Sequence, residues 1–153
     1  NGNCFRIYFT INRMPKIFKE IFEPKSINFT EARDVIIKLN KKGLKVIPYF
    51  SPVLPYISEL DSIFKEFSDI INYIEFEAFN PSEEINCEFL EKLNQIDPFL
   101  GKFYYSLFND VLVYKDIWNK ITDKILKEAK SSNKNYHFYL NEFKGNFRNR
   151  YFY

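Results

Sequence analysis

Two glutamates, Glu75 and Glu77, stand two residues apart in a segment, 73–79, that alternates strictly between two kinds of side chain. In an extended strand that spacing points both carboxylates to one face. Such a pair can share a proton, with one pKa raised by mutual repulsion, or bind substrate amines. The competing account is a solvated face, or salt bridges to Lys45 or Arg6 on neighbouring strands. A second alternating segment, 4–12, sets Arg6, Tyr8, Thr10 and Asn12 against Phe5, Ile7, Phe9 and Ile11. Tyr49 and Ser51 add to the polar set from a third strand-like run, and His137, Tyr139 and Asn141 from a fourth.

The remaining chemistry-bearing residues are few. His137 is the only histidine, and without a second His or a Cys nearby it makes a poor metal site and reads as a hydrogen-bonded structural group. Cys4 and Cys87 share no repeated spacing and read as small buried hydrophobes. No phosphate-binding G-x-x-x-x-G-K-S/T loop, G-x-S-x-G elbow or H-E-x-x-H zinc motif occurs. The tail interleaves Lys144, Arg148 and Arg150 with Phe147, Tyr151, Phe152 and Tyr153, a pattern able to grip nucleic acid by phosphate contact and stacking. The alternative for that tail is a frayed or docking terminus.

These residues need elements to hold them. Strands are expected over 4–12, 44–51, 73–79 and 136–142, and helices over 15–22, 28–42, 58–71, 86–96 and 114–130. Asn28 followed by Glu31 resembles a capping box, and Gly43 after Lys41 and Lys42 is the stop signal of that helix. Pro52 and Pro55 are expected to end the second strand, and the aromatic stretch around Pro98 and Gly101 to be irregular. Strands separated by helices call for parallel crossovers, so the fold class is α/β. No second domain is apparent, and 1–153 reads as one.

Composition agrees with a folded chain. The 153 residues carry a net charge of +2, with 46% hydrophobic and 27% charged residues. That charge is too small to argue for nucleic acid alone. The 18 Phe and 11 Tyr suit AT-rich codon usage and ordinary core filling. Two cysteines make no disulfide framework, which favours a cytoplasmic setting. No run of about 18 apolar residues suggests a membrane span.

Strands of a fully covered parallel sheet should be continuously apolar, yet two of these alternate. A curved sheet resolves the conflict: helices cover its convex face, and its concave face lines a polar interior. The expected architecture is therefore a partial TIM-like (β/α) barrel of about four parallel strands, with chemistry at the carboxyl ends of the strands. Thr10, Asn12, Ser51 and Glu77 occupy those ends.

Ordered motifs then bring a resemblance. Phe22-Glu23-Pro24-Lys25-Ser26, Arg33, the run from Leu39 through Gly43 to Val46, and Ser51-Pro52-Val53-Leu54-Pro55 resemble the radical S-adenosylmethionine (radical SAM) superfamily. The branch is that of spore photoproduct lyase and DNA-repair-photolyase-like proteins, and the match covers residues 5–80. The resemblance implies that Thr10 and Asn12 meet the ribose and methionyl parts of S-adenosylmethionine. It implies Arg33 as partner of the methionine carboxylate, and Ser51, Pro52 and Val53 as the border of the adenine. Tyr49, Glu75 and Glu77 would face substrate, and nucleic acid is the substrate class of that branch. The family cleaves S-adenosylmethionine with an electron from a [4Fe–4S] cluster held by C-x3-C-x2-C, and this sequence has no such triplet. The chain therefore reads as the carboxy-terminal half of a lyase-like DNA-repair enzyme, inactive without its missing amino-terminal half. The alternatives are a non-catalytic α/β domain that binds nucleic acid, and a barrel fragment of another enzyme family.

Overall fold

A computed structural model of the chain describes residues 5–67, 69–80 and 83–143, the side chains of 83–86 excepted. Cys4 and the basic aromatic tail from Lys144 to Tyr153 lie outside the described residues. The elements run β1 (Ile7–Ile11), α1 (Lys16–Phe22), α2 (Phe29–Lys41), β2 (Val46–Val53), a short 3-10 helix (Ile63–Glu66), β3 (Tyr73–Ala78), α3 (Glu83–Ile96), α4 (Pro98–Asn109), α5 (Val111–Ser131) and β4 (Asn135–Tyr139). They group into two compact units. The first is Asn1–Phe79 with Thr122–Leu140, the second Asn80–Ile121 with Asn141–Tyr153.

The first unit is built on a four-stranded sheet in the order β1-β2-β3-β4, every pair parallel. Sequential order has a consequence. Right-handed crossovers that always step in the same direction leave their connecting segments on one face of the sheet. Burial agrees. On one face Ile11, Val46, Phe50, Ile74, Phe76 and Ala78 are buried. Phe76 lies 5.9 Å from Phe50, 5.6 Å from Phe64 and 6.5 Å from Phe138 between ring centroids. Ala32 and Ile36 of α2, and Ile125 and Ala129 of α5, complete this core. The other face carries the polar residues.

Local signals explain the first helices. Pro15 precedes α1 with its fixed φ, and the Asn28 side chain accepts a hydrogen bond from the Glu31 backbone N–H at the start of α2. Gly43 takes φ +85°, the left-handed conformation expected where the chain leaves α2 for β2.

Three local expectations need correction. Segment 58–71 is not a helix beyond the 3-10 turn Ile63–Glu66. Ser58 closes the preceding turn instead, its Oγ accepting from Leu54 N–H, and Ser62 adopts φ +57°, which interrupts any helix there. Strand β2 does not stop at Ser51 but continues to Val53, because the register slips between Phe50 and Val53. Proline's missing donor thus falls where the ladder is already broken. The stretch around Pro98 is helical.

That last helix, α4, belongs to the second unit. Asp97 caps it by accepting from Phe99 and Leu100 N–H at 2.9 and 3.1 Å, and Pro98 fills the first turn, where no donor is needed. Gly101 allows a close approach of α3. A Cβ there would sit 2.0 Å from Asn94 Oδ1 and 3.3 Å from Asn94 Cα. Phe89 of α3 packs on buried Tyr104 at 5.0 Å, and Tyr104 on Phe108 at 5.7 Å. The free thiol of Cys87 is only half-buried. No helix among the described residues is long and apolar enough to cross a membrane.

Candidate functional site

Register places the polar side chains in rows across the sheet face opposite the core. Thr10 of β1 pairs with Tyr49 of β2, Tyr49 with Glu75 of β3, and Glu75 with His137 of β4. One step toward the amino ends, Tyr73 pairs with Asn135, and one step the other way Glu77 pairs with Tyr139. Parallel partners point to the same side, so these residues share one face.

Glu75 is the one buried charged residue among those described, 4% exposed. A carboxylate withdrawn from water is costly unless donors or a cation meet it. Among the described residues no ion pair reaches it. Phenols meet it instead. The Tyr73 hydroxyl is pushed up to about 12, by burial first and then by hydrogen bonding with Glu75. The Tyr139 hydroxyl is raised by hydrogen bonding with Glu75 first and by burial second. Tyr49 is pushed up to about 12 by burial and then by Glu77. Ser51 Oγ also donates to Glu77 Oε2 at 2.6 Å. Both carboxylates are thus met by hydroxyl groups that stay protonated across the physiological range.

The aromatic rings form a line across the strands. Tyr8 and Tyr49 meet edge to face with centroids 6.1 Å apart, Tyr49 and Tyr139 at 6.3 Å, and His137 and Tyr139 at 4.2 Å. The face therefore offers hydroxyls, carboxylates and ring edges, a surface suited to ligands rich in hydroxyl or amine groups.

Of the residues that the sequence singled out, Thr10, Tyr49, Ser51, Glu75, Glu77, His137 and Tyr139 share this face. Asn12 follows β1, its Nδ2 donating to Glu23 Oε1 at 3.0 Å and to the Pro52 carbonyl at 3.2 Å. Its Oδ1 is buried without a partner among the described residues. The carbonyls of Pro52 and Val53 are engaged, by Asn12 and by Phe79 N–H. Asn141 lies past the end of β4 and belongs to the second unit, where its carbonyl accepts from the Tyr114 hydroxyl at 2.5 Å.

Arg33 is not brought to this face. It sits on α2, which packs on β1 and β2, and its guanidinium is shared between Glu66 Oε2 at 2.8 Å and Asp34 Oδ1 at 2.9 Å. Asp34 and then Glu66 raise its pKa, countered in part by burial. The other Glu66 oxygen takes Arg13 at 3.1 Å, and Arg13 also lies over the Phe29 ring at 5.2 Å. Arg33 is thereby part of a clamp joining α2 to the 3-10 segment. Neither do Arg6 or Lys45 pair with Glu75 or Glu77 among the described residues.

No protein-family model matches the chain, and no curated protein or solved structure is significantly similar to it. The face must therefore be judged on its own chemistry. Tyr73 is the residue that the sequence left outside the polar set, although its position in the alternation places it there. What the alternation could not show is that Tyr73 and Tyr139 both serve one carboxylate.

Two cofactor fits follow from the same residues. A [4Fe–4S] cluster needs several thiolates. The chain has two cysteines, and no group of three His, Cys, Asp or Glu able to hold a metal occurs among the described residues. The cluster does not fit this chain. For S-adenosylmethionine the donor set fits in part: Thr10, Ser51 and Glu77 share the face with the orphaned Asn12 oxygen beside them, whereas Arg33 does not fit.

Proposed function

We propose that the open sheet face is the ligand-facing wall of a partial (β/α) barrel. In this reading the chain supplies the carboxy-terminal, cluster-free part of a cytoplasmic, lyase-like radical SAM enzyme acting on nucleic acid. The observation that carries it is Glu75, a carboxylate only 4% exposed on the sheet face opposite the Phe76 core, with Tyr73 of its own strand and Tyr139 of β4 on the same face. A face that served only as surface would have no use for a desolvated carboxylate. Sequential parallel strand order supports the barrel, since it is the order in which further strands can be added toward closure.

Thr10, Ser51, Glu77 and Asn12 would hold S-adenosylmethionine through its hydroxyls and ammonium group, and bound in this way it supplies the reactive group for the chemistry. The chain's own share is to bind and orient. Tyr49 and Ser51 hold the Glu77 carboxylate in place, and Tyr73 and Tyr139 hold Glu75. No residues of this chain would ligate a cluster.

Calorimetric titration of the chain with S-adenosylhomocysteine, a stable analogue, tests the assignment. Binding that Glu77→Gln weakens about tenfold supports it. Binding unchanged by Glu77→Gln, or none at millimolar ligand, refutes it. Sequencing the gene upstream of Asn1 tests the family assignment separately, by the presence or absence of the three-cysteine motif.

A further inference from the structure

A second concavity lies at the opposite ends of the strands. It is a cavity of about 370 Å³ within the first unit, and its lining includes Arg6, Lys45, Asn72 and Asn135. Volumes of that order hold a small organic ligand. No acidic side chain among the described residues lines it.

The two cations are neighbours by register. Ile7 pairs with Val46, and Ile7 N–H donates to the Lys45 carbonyl at 3.1 Å, so Arg6 and Lys45 immediately precede two paired strand starts. Like charges placed so are destabilising. No ion pair among the described residues relieves either one. Around them the side-chain amides of Asn72 and Asn135 supply neutral donors. Asn40, also at the cavity, has its donors engaged by the Ile36 and Val46 carbonyls and so fixes the wall without offering a donor inward. The remaining wall is apolar, formed by Ile47 and Ile71, with the Tyr73 ring beside them.

Two uncompensated positive charges match a dianion, and an apolar wall matches a carbon skeleton attached to it. We infer that this cavity binds a small phosphate monoester with an apolar or aromatic organic group. Guanidinium and ammonium take the phosphate oxygens, the asparagine amides take those left over, and the organic group lies along Ile47 and Ile71. Tyr73 borders both this cavity and the carboxylate-bearing rows, but the inference rests on Arg6 and Lys45 and not on the proposed function.

The test is titration of the whole chain with phenyl phosphate, with inorganic phosphate and phenol as comparisons, followed by calorimetry or amide chemical shifts. Saturable phenyl phosphate binding is expected, about tenfold tighter than either comparison. Arg6→Ala and Lys45→Ala should each weaken it about tenfold, and Lys45→Arg should retain it. Binding should weaken as pH falls through the second phosphate pKa of about 6, where the dianion becomes a monoanion. Both cations are exposed and repel one another, so the alanine variants should melt at or slightly above the wild-type temperature, which separates lost binding from lost folding. Phenol binding as tightly as phenyl phosphate, affinity unchanged in both alanine variants, or no saturation would overturn the assignment.

Discussion

Replacing Tyr73 by phenylalanine removes one hydroxyl and leaves the ring. In the folded protein that hydroxyl is held protonated up to about 12, against an ordinary 10, by burial and then by Glu75. A rise from 10 to about 12 corresponds to about 2.7 kcal/mol of preference for the protonated form. Burial, the larger cause, penalises the phenolate without favouring the hydroxyl, so what Tyr73→Phe removes at neutral pH is the hydrogen-bonding part, roughly 1–1.5 kcal/mol. The folded state holds this proton more tightly than the unfolded chain. Its contribution is therefore complete below pH 10 and disappears as pH rises through about 12. Tyr73→Phe should cost roughly 1–1.5 kcal/mol at pH 8 and progressively less toward pH 12, where the wild-type phenolate would face the Glu75 carboxylate. Urea unfolding of both proteins at a series of pH values, with phenolate absorbance followed in parallel, measures the difference directly. Lysine and arginine titration affects both proteins alike and cancels. A cost that stays constant from pH 8 to pH 12 would show that the hydroxyl does not serve the buried carboxylate, and the account of the face would fail with it.

Gly101→Ala should lower stability by about 1–3 kcal/mol, because the new methyl group meets Asn94; most of that cost should vanish in an Asn94→Ala background, as a double-mutant cycle in thermal unfolding would report. Asp97→Ala removes the cap of α4 and should cost about 1 kcal/mol in denaturant unfolding, with Asp97→Asn nearly neutral. Ser51→Ala deletes the 2.6 Å hydrogen bond to Glu77 and should cost about 1 kcal/mol, and the same variant should weaken S-adenosylhomocysteine binding in calorimetry. Arg33→Ala should leave that binding unchanged while lowering the melting temperature, since Arg33 serves Glu66 and Asp34.

Local order was legible wherever neighbours in sequence decide it. Asn28 with Glu31 announced the start of α2, Gly43 its end, and the alternation in β1 and β3 announced strands. Long connections between strands called for parallel pairing, and the sheet is parallel throughout, although the one between β2 and β3 is not the helix expected there. The polar set at alternate positions was legible for the same reason, since side chains of a strand change face at every step. Legibility failed where a residue had two uses. Ser58 has the chemistry of a helix cap and serves a turn, and Pro98 and Gly101, which usually break helices, sit in α4 at positions where a missing donor and a missing side chain are tolerated.

Partnership was settled only by the tertiary structure. Ser51 and Glu77 are separated by 26 residues and meet through strand register, and Arg33 reaches Glu66 across 33. Periodicity reports which way a side chain points, but the cost of burying Glu75 is met by hydroxyls from its own strand and from β4, and only the packed sheet brings those within reach. The sequence alone determined that a polar face exists. Three-dimensional packing determined that a carboxylate is buried in it and that Arg33 is not part of it, because desolvation and long-range pairing are properties of neighbours in space.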